Sequence, residues 1–224
     1  MGECCVCRKK IGLFGKKRQV SEKEFCHEDC WFETKTGKVY LSTINARAHF
    51  INKKDKEALK EIDKGLSLQE NNLDLLALKA GILGNQGKPK ESLDYAKRAY
   101  ERFEQLYGKG FIKKQLEKTR SEEISQDWIM QNNHLADEYG NILRALALNY
   151  LALKQYEKAI PHLKEEIEIY PDFIEAFDDL AKCYYQLKKF KEAEFFFKKS
   201  LELEGCPKEI IEREAKKNFA KKSK

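Results

Sequence analysis

Small apolar residues recur along this chain at one fixed step, and that step organises everything around them. Ala46, Ala80, Ala147 and Ala181 lie 34, 67 and 34 residues apart, and Ala58, Ser92, Ala159 and Ala193 repeat the same intervals twelve residues later. Larger residues follow at helical offsets: His49, Leu83, Tyr150 and Tyr184 three positions after the first set, and Ile62, Ala96, Leu163 and Phe197 four positions after the second. Apolar positions spaced by three and four give each segment one buried stripe, as on an amphipathic helix. Two antiparallel helices approach closely only where both facing side chains are small, so a small residue on each partner at a constant separation predicts a series of helical hairpins. The pattern divides the chain into hairpins at 39–72, 73–106, 140–173 and 174–207, and Pro207 opens a final helix, Lys208 to about Ala220, with Ile210, Ile211 and Phe219 facing inward.

Proline placement agrees with these limits. Pro89 and Pro161 are predicted in the first turn of a second helix, where a missing N–H is tolerated, and Pro171 after one. Residues 107–139 interrupt the period: Ile112, Leu116, Ile124 and Trp128 fall at multiples of four, which predicts lengthened helices or a degenerate repeat, with Trp128 packed inside.

These hairpins resemble the tetratricopeptide repeat, a 34-residue helix–turn–helix unit. Residues 140–173 carry Leu143, Leu146, Ala147, Tyr150, Tyr156, Ala159 and Pro171 at the signature positions; residues 174–207 carry Phe177, Leu180, Ala181, Tyr184, Phe190, Ala193 and Phe197. Residues 73–106 match more loosely and 39–72 weakly. The resemblance implies an all-α fold, a right-handed helical-hairpin solenoid, ending in a capping helix and basic tail at 208–224.

Composition is consistent with helix: four prolines, twelve glycines, 42% hydrophobic and 36% charged residues. No run of about 18 apolar residues exists, and charges flank the short Ile11–Phe14 run, so neither a membrane span nor a secretory signal is expected and the expected location is cytoplasmic.

Five of the seven cysteines crowd into Cys4–Cys30, a distribution suited to metal binding rather than to a disulfide framework. Cys4-x-x-Cys7 presents two thiolates from one tight turn. About twenty residues on, Cys26-His27-Glu28-Asp29-Cys30 offers a second pair. The predicted ligands of one structural zinc ion are Cys4, Cys7, His27 and Cys30, with Cys26 as the alternative to His27 and Cys5 a bystander. Ile11–Phe14 and Gln19–Val20, either side of Gly15, are the expected hairpin between the pairs. Cys-x2-Cys followed by His-x2-Cys with Trp31 and Phe32 resembles half of a LIM-type finger, and KKIGLFGKK resembles treble-clef zinc modules, which more often end in a CxxC pair. The module is assigned residues 1–38. Four protein ligands leave no open coordination position, and no catalytic motif occurs elsewhere, so the chain reads as a non-enzyme.

The tetratricopeptide resemblance implies a ligand groove lined by first helices. Here that face carries Asn141, Arg144, Leu148, Asp178, Asp179, Lys182 and Tyr185, a mixed surface whose acids suit a basic or amphipathic protein segment. The expected function is a protein-interaction scaffold. The alternative is a nucleic-acid-associated factor touching phosphates through Arg8, Lys9, Lys10, Lys16, Lys17 and Arg18, in a chain whose net charge is +6.

Overall fold

The computed structural model describes residues 3–10, 16–20, 24–120 and 126–219, with side chains described outside 119–120 and 126–133. It divides into two compact units, residues 1–82 and 83–224.

The first unit begins with a two-stranded antiparallel ribbon, β1 (Lys17–Gln19) and β2 (Phe25–His27), with Arg18 opposite Cys26. A 3-10 helix, Glu28–Glu33, leads into α1 (Lys35–Ile51) and α2 (Asp55–Leu68). Helix α3 (Leu73–Asn85) enters this unit and crosses its limit. Val39, Ala46, Ala58, Ile62, Leu75 and Ile82 form the core, with Phe50, Leu59 and Leu66 against them. The ribbon strands differ from the expected hairpin: β1 starts at Lys17, while Ile11–Gly15 lie outside the described residues.

Helix α1 starts at Lys35, inside the segment 1–38 assigned to the cysteine-rich module. Thr34 caps α1 by accepting a hydrogen bond from Gly37 N at 3.0 Å, and its hydroxyl donates to Trp31 O at 2.6 Å. A Cβ at position 37 would lie 2.1 Å from that same Trp31 oxygen, so only glycine lets the first turn of α1 close against the 3-10 helix. The cysteine-rich segment is therefore continuous with the first hairpin and shares one compact unit with it.

The second unit holds α4 (Pro89–Tyr107), α5 (Phe111–Arg120), α6 (Gln126–Ala152), α7 (Tyr156–Ile169), α8 (Ile174–Gln186), α9 (Phe190–Leu203) and α10 (Lys208–Phe219). Helices α6/α7 and α8/α9 pack as hairpins, α7 packs on α8, and α10 packs on α9. Helix α4 packs directly on α6, while α5 touches α6 and α7 more sparingly. Residues 107–139 thus supply an extra helix and lengthen α6 at its N-terminal end to 27 residues, about 40 Å, instead of forming another hairpin between α4 and α6. Ile112 is buried on α5; Ile124 lies outside the described residues, as does the side chain of Trp128. Asn149 secures the direct packing, donating to Ser92 Oγ at 2.6 Å and to Ala145 O at 2.7 Å.

All eight small residues of the period are buried. The turns obey the same period. Lys53, Gly87, Lys154 and Lys188 have φ of 57°, 70°, 57° and 60°, and the N–H of each following residue donates to the carbonyl of His49, Leu83, Tyr150 or Tyr184 at 2.8 to 3.0 Å. That six-to-one bond with a left-handed residue is the Schellman ending of a helix.

Two expectations need correction. Pro161 is the sixth residue of α7, beyond the first turn, so the carbonyl of Glu157 loses its usual N–H donor. Ile210 is exposed; α10 buries Ile211, Ala215 and Phe219, one apolar row at i, i+4 and i+8, and Ile210 lies off that row.

Candidate metal centre and binding face

Cys4 and Cys7 sit in a tight turn just ahead of Arg8, whose φ is 59°. Arg8 N donates to Cys4 O at 3.0 Å, and Cys4 N to Lys9 O at 2.9 Å, which folds the turn back on itself. Cys5 N donates to Phe25 O at 3.0 Å and ties the turn to β2. His27 ends β2, and Cys30 lies in the 3-10 helix that follows. One ligand atom from each of Cys4, Cys7, His27 and Cys30 lies within 4.8 Å of all the others. A tetrahedral zinc with bonds of about 2.3 Å to sulfur places its ligand atoms about 3.8 Å apart, so the four donors need only contract slightly around an ion. Such a cluster can hold a metal ion.

The electrostatics suit a thiolate centre. Burial works against ionisation of Cys4, yet the backbone N–H groups of Cys7, His27 and Val6, aimed at its sulfur, lower its pKa to about 6. Burial and the neighbouring thiols of Cys7 and Cys4 push Cys30 up to about 12, since a second and third negative charge in one pocket needs a cation. His27 Nδ1 lies 3.4 Å from Cys7 Sγ, and that contact followed by one to Cys4 raises the imidazole pKa.

Cys26 points elsewhere. Successive residues of a strand face opposite sides, so placing His27 among the thiols turns Cys26 into the small core with Trp31. There burial, then the Cys5 and Cys4 thiols, raise its pKa. Cys5 is half-buried and stands outside the four-residue cluster. Cys183 is a core residue on α8, its thiol pushed up to about 12 chiefly by burial, and Cys206 is half-buried between α9 and α10.

The binding-face residues separate into two groups. Asn141, Leu148 and Lys182 are exposed and Asp178 is half-buried. Arg144 and Asp179 are engaged internally: the guanidinium lies 2.9 Å from Asp179, 3.6 Å from Glu166 and over the Phe173 ring, so it joins α6, α7 and α8. Asp179 is buried and also receives Lys182 at 3.1 Å. Tyr185 packs edge-on against Phe190 and Phe219. The expected role of Asp179 in selecting ligand charge is therefore replaced by a structural one, because its carboxylate is spent on Arg144.

Glu166 was not foreseen. It is 2% exposed, its Oε2 accepts no hydrogen bond, and burial raises its pKa to about 7 against the partial opposition of Arg144. The signal was present: Ala159, Leu163 and Glu166 are spaced i, i+4 and i+7, which puts a carboxylate on the inward row of α7. Tyr139 was also missed; its hydroxyl donates to Glu165 at 2.6 Å, and its ring stacks on Tyr100.

Tetratricopeptide-repeat family profiles match residues 150–204 and 73–112, so the chain carries tetratricopeptide repeats at both places. Its fold is similar to that of PilW, a widely conserved type IV pilus biogenesis factor, at a TM-score of 0.53 and 15% identity over 82% of this chain and 70% of that one. Further similar structures are pilF of Pseudomonas aeruginosa (14% identity, TM-score 0.41, 83% and 86% covered) and a thermophilic TPR protein of Thermus thermophilus (18%, 0.33, 84% and 98%). No curated protein matches the sequence. Among the described residues, no helix is long and apolar enough to cross a membrane.

Proposed function

We propose that this protein is a non-catalytic interaction scaffold that binds a protein segment on the first-helix face of α6 and α8, with one structural zinc ion held by Cys4, Cys7, His27 and Cys30. The observation that carries the binding role is the division of that face. Arg144 and Asp179 lock the two helices together from within, and the lock leaves Asn141, Leu148 and Lys182 presented to solvent on adjacent repeats. Leu148, 44% exposed at the centre of this set, supplies an apolar anchor, and the flanking Asp178, Glu175 and Lys182 suit an amphipathic segment with charges of both signs.

Zinc, when bound, supplies a cross-link and no reaction, since four protein donors fill its coordination shell. Cys30 lies one residue before Trp31, whose carbonyl accepts from the Thr34 hydroxyl that in turn caps Gly37 N, so the candidate metal ligands are tied through four residues of chain to the start of α1.

The nucleic-acid reading gains little from the geometry. Arg18 lies over the Trp31 ring, Lys17 over the Phe25 ring, and both Lys16 and Arg18 pair with Glu28, so half of the expected phosphate contacts are already engaged.

The test is a double variant, Leu148→Asp with Asn141→Ala, in a quantitative pull-down against the partner recovered by the natural chain. Both side chains are exposed, so helicity and metal content should hold while recovery falls by about fivefold or more, the scale of one interfacial anchor. Undiminished recovery would remove this face from the reading.

A further inference from the structure

Of the eleven exposed large apolar side chains among the described residues, six lie between positions 6 and 51. Four of them sit on one helix: on α1, Tyr40 is 48% exposed, Leu41 38%, Ile44 44% and Ile51 77%. Ala48, also exposed, falls among them. At about 100° per residue, Tyr40, Ile51, Ile44, Ala48 and Leu41 occupy an arc of about 100°. Its centre lies about 160° around the helix from the buried row of Val39, Ser42, Thr43 and Ala46. Helix α1 is thus apolar on two opposed faces, the pattern of a helix covered from both sides. Its inner face packs on α2 and the core of the first unit. At the Tyr40 end the outer face meets the Trp31 ring edge-on, with centroids 5.2 Å apart, while Leu41, Ile44, Ala48 and Ile51 remain exposed.

We infer that this outer face of α1 is a second docking surface, and that it takes an amphipathic helix whose apolar stripe is bordered by acidic residues. The charge around it selects the occupant. Residues 35–54 contain Lys35, Lys38, Arg47, Lys53 and Lys54 and no aspartate or glutamate. By contrast, α2, α3, α4, α7, α8, α9 and α10 each open with an acidic residue in the first turn. Among the described residues, the acids that reach these cations come from outside the helix, Glu33 to Lys38 at 3.5 Å and Asp74 to Arg47 at 2.9 Å. Pairing α1 with α1 of a second copy would set this cationic segment, two of whose five charges are met by an acid, against its like, a juxtaposition that acidic flanks on a different partner turn into attraction. Shape favours a helix: Ala48 leaves a notch between Ile44 and Ile51 where another helix can approach closely. This surface is distinct from the α6–α8 face, and neither reading depends on the other.

Fluorescence anisotropy with two labelled synthetic peptides tests the inference on the purified full chain. Both peptides, about 18 residues or five turns long, carry the same leucine stripe, one bordered by glutamate and the other by lysine. The glutamate peptide should bind at least about tenfold more tightly, weaken as salt is raised, and lose about tenfold or more in affinity with Ile44→Asp and with Ile51→Ser. Both positions are exposed, and unchanged far-ultraviolet circular dichroism of each variant secures the comparison. Failure of the natural chain to bind the glutamate peptide overturns the inference, as does equal binding of the lysine peptide or indifference to both substitutions. Sedimentation showing a dimer that Ile44→Asp dissolves would assign the face to a second copy, and Ile44-dependent binding to phosphatidylcholine–phosphatidylserine vesicles would assign it to a lipid surface; either result also overturns it.

Discussion

Glu166 is the residue with the most unusual surroundings. Its carboxyl is almost fully enclosed near Arg144, and burial, reinforced by Asp179 and Glu175, raises its pKa from an ordinary 4.5 to about 7. A folded-state acid with a raised pKa keeps its proton after the unfolded chain has lost its own. Its contribution to stability is full below about pH 4.5 and is lost as pH rises through about 7. Glu166→Gln should remove that decline, so the stability of the variant relative to the natural protein should grow by on the order of 2 kcal/mol from pH 4.5 to 8. Chemical denaturation across this range reads it directly, and parallel pH profiles would show that Glu166 titrates normally. A second residue-scale expectation concerns β2. His27→Ala should weaken metal retention against a chelator by roughly tenfold or more, whereas Cys26→Ser, in the core beside Trp31, should leave retention nearly unchanged. The reverse ranking would mean that the strand presents its other face to the metal.

Among elements, the hairpins owe their closeness to the alanines. Ala147 and Ala181 are buried where α6 meets α7 and α8 meets α9. Enlarging either to leucine should destabilise the second unit by about 1–3 kcal/mol through overpacking; an unchanged urea midpoint for both would mean that the helices are not in close contact there. These positions were legible because close helix packing admits few residue types and the period repeats them. The turns were half legible: Gly87 announces a left-handed residue, but Lys53, Lys154 and Lys188 hold the same conformation without a compositional sign. Residues 107–139 were legible only as an interruption, since local spacing does not reveal that α4 skips α5 and packs on α6. The cluster of Cys4, Cys7, His27 and Cys30 could be read from spacing, because a CxxC turn and a strand-to-helix junction each bring two candidate donors together. Spacing put His27 ahead of Cys26 but kept both open, and the pleat of β2 is what turns Cys26 toward Trp31. On the binding face, Arg144 and Asp179 looked like surface charges, because residues 35 apart in sequence reveal their pairing only in space.

At the scale of the molecule, a cysteine–histidine cluster and the first hairpin share one unit, and the other unit carries tetratricopeptide hairpins with an exposed first-helix face. The proposed binding of a protein partner on α6 and α8 rests on that face. A photo-crosslinking residue placed at Leu148, and in a separate variant at exposed Glu202 on α9, measures this most directly in native lysate under ultraviolet light. A discrete covalent adduct is expected from position 148 and not from position 202, and mass spectrometry should find in it one protein joined through a peptide of mixed charge. Adducts of equal yield from both positions, or none from position 148 under conditions where the partner co-purifies, would contradict binding on that face.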